Sequence, residues 1–177
     1  YEVLEQADTE VRRFNPSTNS FDIIIKSGIT ANKRLSWTMF NGHLVMSNGV
    51  DPMFKYGYVQ QPPSPNTSTT SSGSKGSRTY YCSIAYTNAN GETIASAERT
   101  QVIGANDVLI IPSPPQVDGA THYNVYHHTV SGSLKLQTAT PIQIGTDYQE
   151  TTGTLNDGVV SPTINTAWYS LDLIGSP

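Results

Sequence analysis

The stretch Thr79-Tyr-Tyr-Cys-Ser-Ile-Ala-Tyr-Thr87 alternates strictly: Tyr80, Cys82, Ile84 and Tyr86 share one face, and Thr79, Tyr81, Ser83, Ala85 and Thr87 share the other. A period of two commits it to an extended strand, and Asn88-Ala-Asn-Gly91 turns the chain back toward a partner over 93–103. Val108-Leu-Ile-Ile111 is a fully apolar strand, ended by Pro112 and by Pro114-Pro115, which cannot donate to a ladder. Residues 122–129 then place Tyr123, Val125 and His127 on one face, and strands over 134–138, 142–144 and 147–151 complete the set. Short strands at ~8–12-residue spacing, with turn signals between them, predict a β-sandwich or barrel. No stretch holds a helical period beyond one turn.

The N-terminal third carries a different signal. Leu35, Trp37 and Met39 alternate with Ser36, Thr38 and Phe40, Asn41-Gly42 follows, and Leu44 and Met46 alternate beyond it. Apolar alternation on both sides of Asn-Gly predicts a hairpin with strands near 34–40 and 43–47, because both turn residues need positive φ. Phe21-Asp-Ile-Ile-Ile25 reads as a short strand stopped by Ser27-Gly28; Asn48-Gly49 makes a second turn, and 53–56 a further strand. Residues 1–20 show no clear period. The Pro/Ser/Thr/Gly-rich stretch 61–77 holds no residue suited to a core and reads as a linker. The organisation expected is a hairpin-rich partial unit over 1–60, a linker over 61–77, a sandwich over 78–166, and a strand near 167–174 within a 167–177 segment that returns to the first unit.

Composition narrows the function. Charged residues are 14% of the 177, against ~25% in an average soluble protein, while Gly and Pro number 14 and 11. Residues 1–60 are neutral and 61–177 carry the whole net charge of −4, so nothing attracts a phosphate backbone; no sequence-specific nucleic-acid partner is expected. No apolar run approaches the ~20 residues of a membrane span. Cys82, the single cysteine, precludes an internal disulfide and argues against an animal extracellular setting. No signal peptide is visible, and a chain beginning Tyr1-Glu-Val rather than with Met is expected to be a fragment or processed product.

Candidate chemistry is sparse. His127 and His128 are adjacent on a strand and point to opposite faces; with His43 and His122 they form no metal-ligand spacing and read as exposed or rim histidines. Cys82 lies on the apolar parity of its strand and reads as a buried small hydrophobe. Asp22, Asp51, Glu92, Asp107, Asp118 and Asp147 sit mostly beside Gly, Asn or Pro, where they serve turns. Asn66-Thr-Ser68 matches a glycosylation pattern that a Ser/Thr-rich linker produces by chance. No catalytic residue, metal site or cofactor is expected, and the chain reads as a non-enzyme. Tyr80, Tyr86 and Tyr123 are expected in the core or at a corner. Tyr81, Tyr126 and Tyr148, with Trp168, are the candidate interaction surface, for a protein partner or a sugar.

Two segments carry a family resemblance. Gly119-Ala-Thr-His-Tyr-Asn-Val-Tyr126 resembles a strand found early in fibronectin type III-like modules, and Thr79 through Thr93 resembles the hairpin that ends them. Here the late hairpin precedes the early strand, so the module resembles a circularly permuted one, an order met chiefly in structural proteins of tailed bacteriophages. The stretch from Trp37 to Tyr56, with its two Asn-Gly turns, resembles a blade of propeller-like phage tail-tube or nozzle proteins, although only one blade is present and His43 stands where a basic residue is common. The resemblance implies an all-β chain, an Ig/fibronectin type III-like sandwich joined to a blade-like hairpin unit. It also implies a virion protein of the tail or neck that assembles with other virion proteins, as a homo-oligomeric ring. The alternative is a carbohydrate- or receptor-binding module of a phage or bacterial surface protein, with a host-surface glycan as ligand.

Overall fold

Asn41 and Gly42 both take positive φ, 47° and 77°, and this two-residue turn closes the hairpin that the Asn-Gly signal predicts. It belongs to a computed structural model that describes residues 2–71, 73, 76–151 and 153–173 and in which every regular element is a strand. The chain divides into two compact units, one of residues 1–58 and 168–177 and one of residues 59–167.

In the first unit, β1 (Leu4–Ala7), β2 (Glu10–Asn15) and β3 (Ser20–Ser27) form a three-stranded antiparallel sheet. The β1–β2 hairpin occupies residues for which no period is legible. Its turn is Asp8-Thr9, with Asp8 at φ 52°, and it lacks the glycine that marks such turns. The β2–β3 ladder is interrupted by two register shifts, which scramble the alternation along the sequence. β4 (Ser36–Phe40), β5 (His43–Ser47) and β6 (Phe54–Tyr58) follow as a meander.

The second unit holds β7 (Ser68–Thr70), β8 (Arg78–Asn88), β9 (Gly91–Glu92), β10 (Arg99–Ile103), β11 (Val108–Ile111), β12 (His122–His128), β13 (Lys135–Leu136), β14 (Ile142–Gln143) and β15 (Tyr148–Gln149). One sheet runs β10-β8-β12-β13, with β9 on β8 and β14 on β12; the other runs β15-β11-β7. This is a β-sandwich. The two signature strands β8 and β12 lie side by side in seven-residue antiparallel register, from His122 opposite Thr87 to His128 opposite Tyr81. Two strands well separated in the sequence are thus direct neighbours in one sheet. Tyr80, Cys82, Tyr86 and Tyr123 are 0% exposed.

The stretch expected as a linker departs from that expectation. Within 61–77, Ser68–Thr70 is β7, paired with Val108–Ile110 of β11, and Pro62 and Pro65 are buried. A strand on the rim of a three-stranded sheet needs only backbone pairing and a Thr side chain, so its Ser/Thr composition hides it.

After the sandwich the chain returns to the first unit as β16 (Trp168–Asp172), paired antiparallel with β6 from Trp168 opposite Tyr58 to Asp172 opposite Phe54. The last residue expected in this strand, Ile174, lies outside the described residues. The sheet β16-β6-β5-β4 has four antiparallel strands. It does not stand bare. Met46, Phe54 and Tyr56 from its inner face pack with Val11, Ile25 and Ile29, all at most 4% exposed, so the first unit has a small core of its own.

Candidate functional site

The register of the β4–β5–β6 meander decides which side chains share a face. Trp37 faces Met46, Met39 faces Leu44, and Leu44 faces Tyr56 across the ladders, so Trp37, Met39, Leu44, Met46 and Tyr56 all line the inner side. Towards β16 that side is covered and forms the core. Towards β4 it is open, and a groove of about 920 Å³ lies between Trp37, Met39 and Leu44 on one wall and Leu4, Gln6 and Val11 on the other. Trp37 is 69% exposed and Met39 60%; on the opposite face of the same strand Phe40 is 66% exposed. Three large apolar side chains on one five-residue strand are thus uncovered on both faces, a contiguous apolar patch rather than scattered surface apolarity.

The groove has a polar flank. Arg13 donates to Glu2 at 2.9 Å and to the Tyr58 hydroxyl at 3.0 Å; Tyr56 donates to Glu2 at 3.0 Å, and the Tyr58 hydroxyl also donates to Glu2. Burial, reinforced by the Glu2 carboxylate, pushes both tyrosine hydroxyls above their ordinary range, so they stay neutral donors. Gln6 bridges the two walls: its amide donates to the Lys33 carbonyl at 2.5 Å, and its oxygen accepts from the Leu35 amide at 3.0 Å. The site holds no arrangement of nucleophile, base and orienting group. What it can do chemically is receive an apolar, extended partner along a strand edge.

A second cluster lies inside the sandwich. His127 Nε2 stands 2.9 Å from the Tyr148 hydroxyl and 3.2 Å from Glu150 Oε2, while Tyr148 donates to the same Glu150 oxygen at 2.8 Å and the Gly153 amide to the other at 2.7 Å. Tyr80 packs edge-on against the His127 ring at 5.0 Å between centroids. Burial opposes ionisation of Glu150, but the bonds from His127, Gly153 and Tyr148 outweigh it and hold the carboxyl below its ordinary range. His127 is 0% exposed, which corrects its reading as an exposed or rim histidine. It shares the parity of Tyr123 and Val125, and that parity is core. Glu150 was not singled out by sequence reasoning, although its spacing of two from Tyr148 places both on one side of an extended segment.

The four expected surface aromatics do not form one surface. Tyr126 is 1% exposed and donates to Glu92 Oε1 at 2.8 Å. The outer face of β8 and β12 is covered, with Leu134 packed against Ala85 and Tyr126, and with Tyr81 half-buried against the same cluster. Tyr148 is half-buried with its hydroxyl committed to His127 and Glu150. Trp168 belongs to the other unit, half-buried 5.9 Å from the Tyr56 ring, with the Arg13 guanidinium 5.3 Å over it. The exposed aromatics that matter, Trp37 and Phe40, lie on β4. Their signal was the hairpin alternation itself, which gives the face but not whether anything covers it.

Cys82 is 0% exposed, and burial pushes its thiol up to about 12, as a buried hydrophobe requires. Among the described residues no group of three or more His, Cys, Asp or Glu is placed to hold a metal ion. Searches against protein-family models, curated proteins and solved structures return no match to this chain.

Proposed function

We propose that this chain is a structural component of a bacteriophage virion, part of a tail or neck assembly, acting through subunit–subunit contacts. The observation that carries an assembly role is β4, a strand at the border of its sheet with Trp37, Met39 and Phe40 uncovered. An exposed apolar edge of this kind is a liability in a free monomer and an asset in an assembly.

The connectivity supports the same reading. β6 ends at Tyr58 and β16 begins at Trp168, residues that face each other in one ladder. The whole sandwich is thus inserted between two neighbouring strands of the blade-like sheet. Its own ends meet, with the Val59 amide donating to the Ala167 carbonyl at 2.8 Å. An inserted module closed at its base adds a decorating domain without disturbing its host sheet. The permuted strand order, resembling that of phage structural proteins, points to the virion.

The glycan-binding alternative loses its motivating feature, since Tyr126 is buried and Tyr148 is committed internally. The test is mass spectrometry of phage particles purified through a density gradient. Peptides of this chain at a stoichiometry of several copies per particle are expected; their absence from intact particles overturns the proposal.

A further inference from the structure

Edge strands of the described sheets are guarded, with one exception. β1 carries Glu5 and is clamped by Gln6; β3 and β16 carry Lys26 and Asp172, which pair with each other at 2.6 Å; β10 carries Arg99. β7, β13, β14 and β15 are two or three residues long. β4 reads Ser-Trp-Thr-Met-Phe: five residues, no charge, no proline, and a ladder to β5 without register shift. Charge, proline, bulges and short length are the devices by which proteins block edge pairing, and β4 has none of them.

The hairpin also sets which backbone groups are on offer. Phe40 and His43 flank a two-residue turn, so they exchange both their backbone bonds, and the pattern alternates from there. Phe40, Thr38 and Ser36 direct their amides and carbonyls to β5; Leu35, Trp37 and Met39 direct theirs outward. The Leu35 amide is taken by Gln6 at 3.0 Å, which agrees with that phase. Trp37 and Met39 remain to pair.

We propose that a second copy of this chain pairs its own β4 antiparallel on this edge, about a two-fold axis at Thr38. In that register Trp37 lies opposite Met39 of the partner subunit, and Met39 opposite the partner's Trp37. Both are residues with outward backbone groups, so each of these two pairs exchanges two hydrogen bonds. Both pairs set an aromatic ring against a thioether on the inner face, a favourable contact. Thr38 meets the partner's Thr38, and Ser36 meets the partner's Phe40. No like charges face each other within the paired strands, because β4 has no charged residue. The four-stranded sheet becomes one of eight strands. A two-fold contact is self-complementary by construction, and an uncharged strand with the apolar pair Trp37 and Met39 on either side of its centre suits it. The contact area is well below the ~800 Å² per partner of a standard interface, so the isolated pair is a weak dimer. The inference rests on the reading that the first unit assembles through β4, and commits it to a copy of itself.

The test is disulfide trapping in the full chain, with Cys82 as a silent internal control because it is buried. Thr38 is exposed, so Thr38→Cys is compatible with folding. Opposed residues of a non-hydrogen-bonded pair stand ~4.5 Å apart at Cα, inside the disulfide range. Thr38→Cys is expected to form covalent dimers under mild oxidation roughly tenfold faster than Ser36→Cys or Phe40→Cys alone, which lie outside that range from their own copies. Mixing Ser36→Cys with Phe40→Cys should restore trapping, as heterodimers. Equal trapping rates in all four samples, or none in the Thr38→Cys and mixed samples, overturn the two-fold pairing. Failure here with the chain present in purified particles removes the dyad and leaves the virion reading; success with the chain absent from particles does the reverse.

Discussion

His127 Nε2 lies 3.2 Å from Glu150 Oε2, with side-chain exposures of 0% and 4%, and the two residues join β12 to the segment that follows β15. Tyr148 bonds to both. This buried carboxylate is strongly committed, because removing it leaves the Gly153 amide without its acceptor and leaves Tyr148 and His127 with only each other. Glu150→Ala is therefore expected to cost about 1–3 kcal/mol, the range for leaving a buried hydrogen-bonding group unsatisfied. Tyr148→Phe, which deletes one hydroxyl, should cost about 1–2 kcal/mol. Urea unfolding followed by tyrosine and tryptophan fluorescence checks both.

The same carboxyl sets a pH dependence. Its folded-state pKa is depressed, so the unfolded chain binds the proton more tightly than the folded one. The stability it contributes is present at neutral pH. It is lost as pH falls through the ordinary carboxylate range, near ~4.3, and on toward the folded value. The urea midpoint of the wild-type chain should decline between about pH 5 and pH 3. Glu150→Gln should start lower at pH 7 and decline less. A variant as acid-sensitive as wild type would show that other carboxylates govern the slope.

Two glycines contrast backbone strain alone with strain and crowding together: both have positive φ, 77° at Gly42 and 154° at Gly91. Gly42 sits at φ 77° with nothing within 4 Å of where a Cβ would stand, so Gly42→Ala adds only left-handed backbone strain, about 1–2 kcal/mol. At Gly91 a Cβ would lie 2.7 Å from the Thr166 carbonyl oxygen, which is backbone and cannot swing away. Gly91→Ala should therefore be the more destabilising of the two. Thermal melts of the two variants side by side test the order.

Cys82 should be inert in the native chain. It is 0% exposed and its thiol is pushed up to about 12, so thiolate is both scarce and unreachable at pH 8. Reaction with a chromogenic disulfide reagent should be undetectable without denaturant and complete in urea. Fast native-state labelling would mean that β8 opens locally.

Much of the fold is legible in single strands. Tyr80, Cys82, Ile84 and Tyr86 share a face by alternation and are all at most 1% exposed; Asn41-Gly42 announces its hairpin. The β1–β2 hairpin is not legible, because its turn lacks glycine and β2 is bulged against β3. β7 is not legible either, because Ser-Thr-Thr carries no apolar signal. For the candidate site, alternation places Trp37 and Met39 on one side, and says nothing of whether that side is filled.

Local order and long-range packing contribute different things to this fold. Strand identity, facing parity and turn geometry follow from neighbours one or two residues apart, so the amino-acid order settles them. Whether a face is covered depends on segments far along the chain. Tyr126 is buried by Leu134 and tied to Glu92, and His127 meets a carboxylate 23 residues away at Glu150. Trp37 stands open on a strand whose second edge, opposite β5, is paired by no strand among the described residues. Alternation is local and coverage is not; the tertiary fold alone turned one expected surface aromatic into core and left a predicted hairpin strand as the exposed edge.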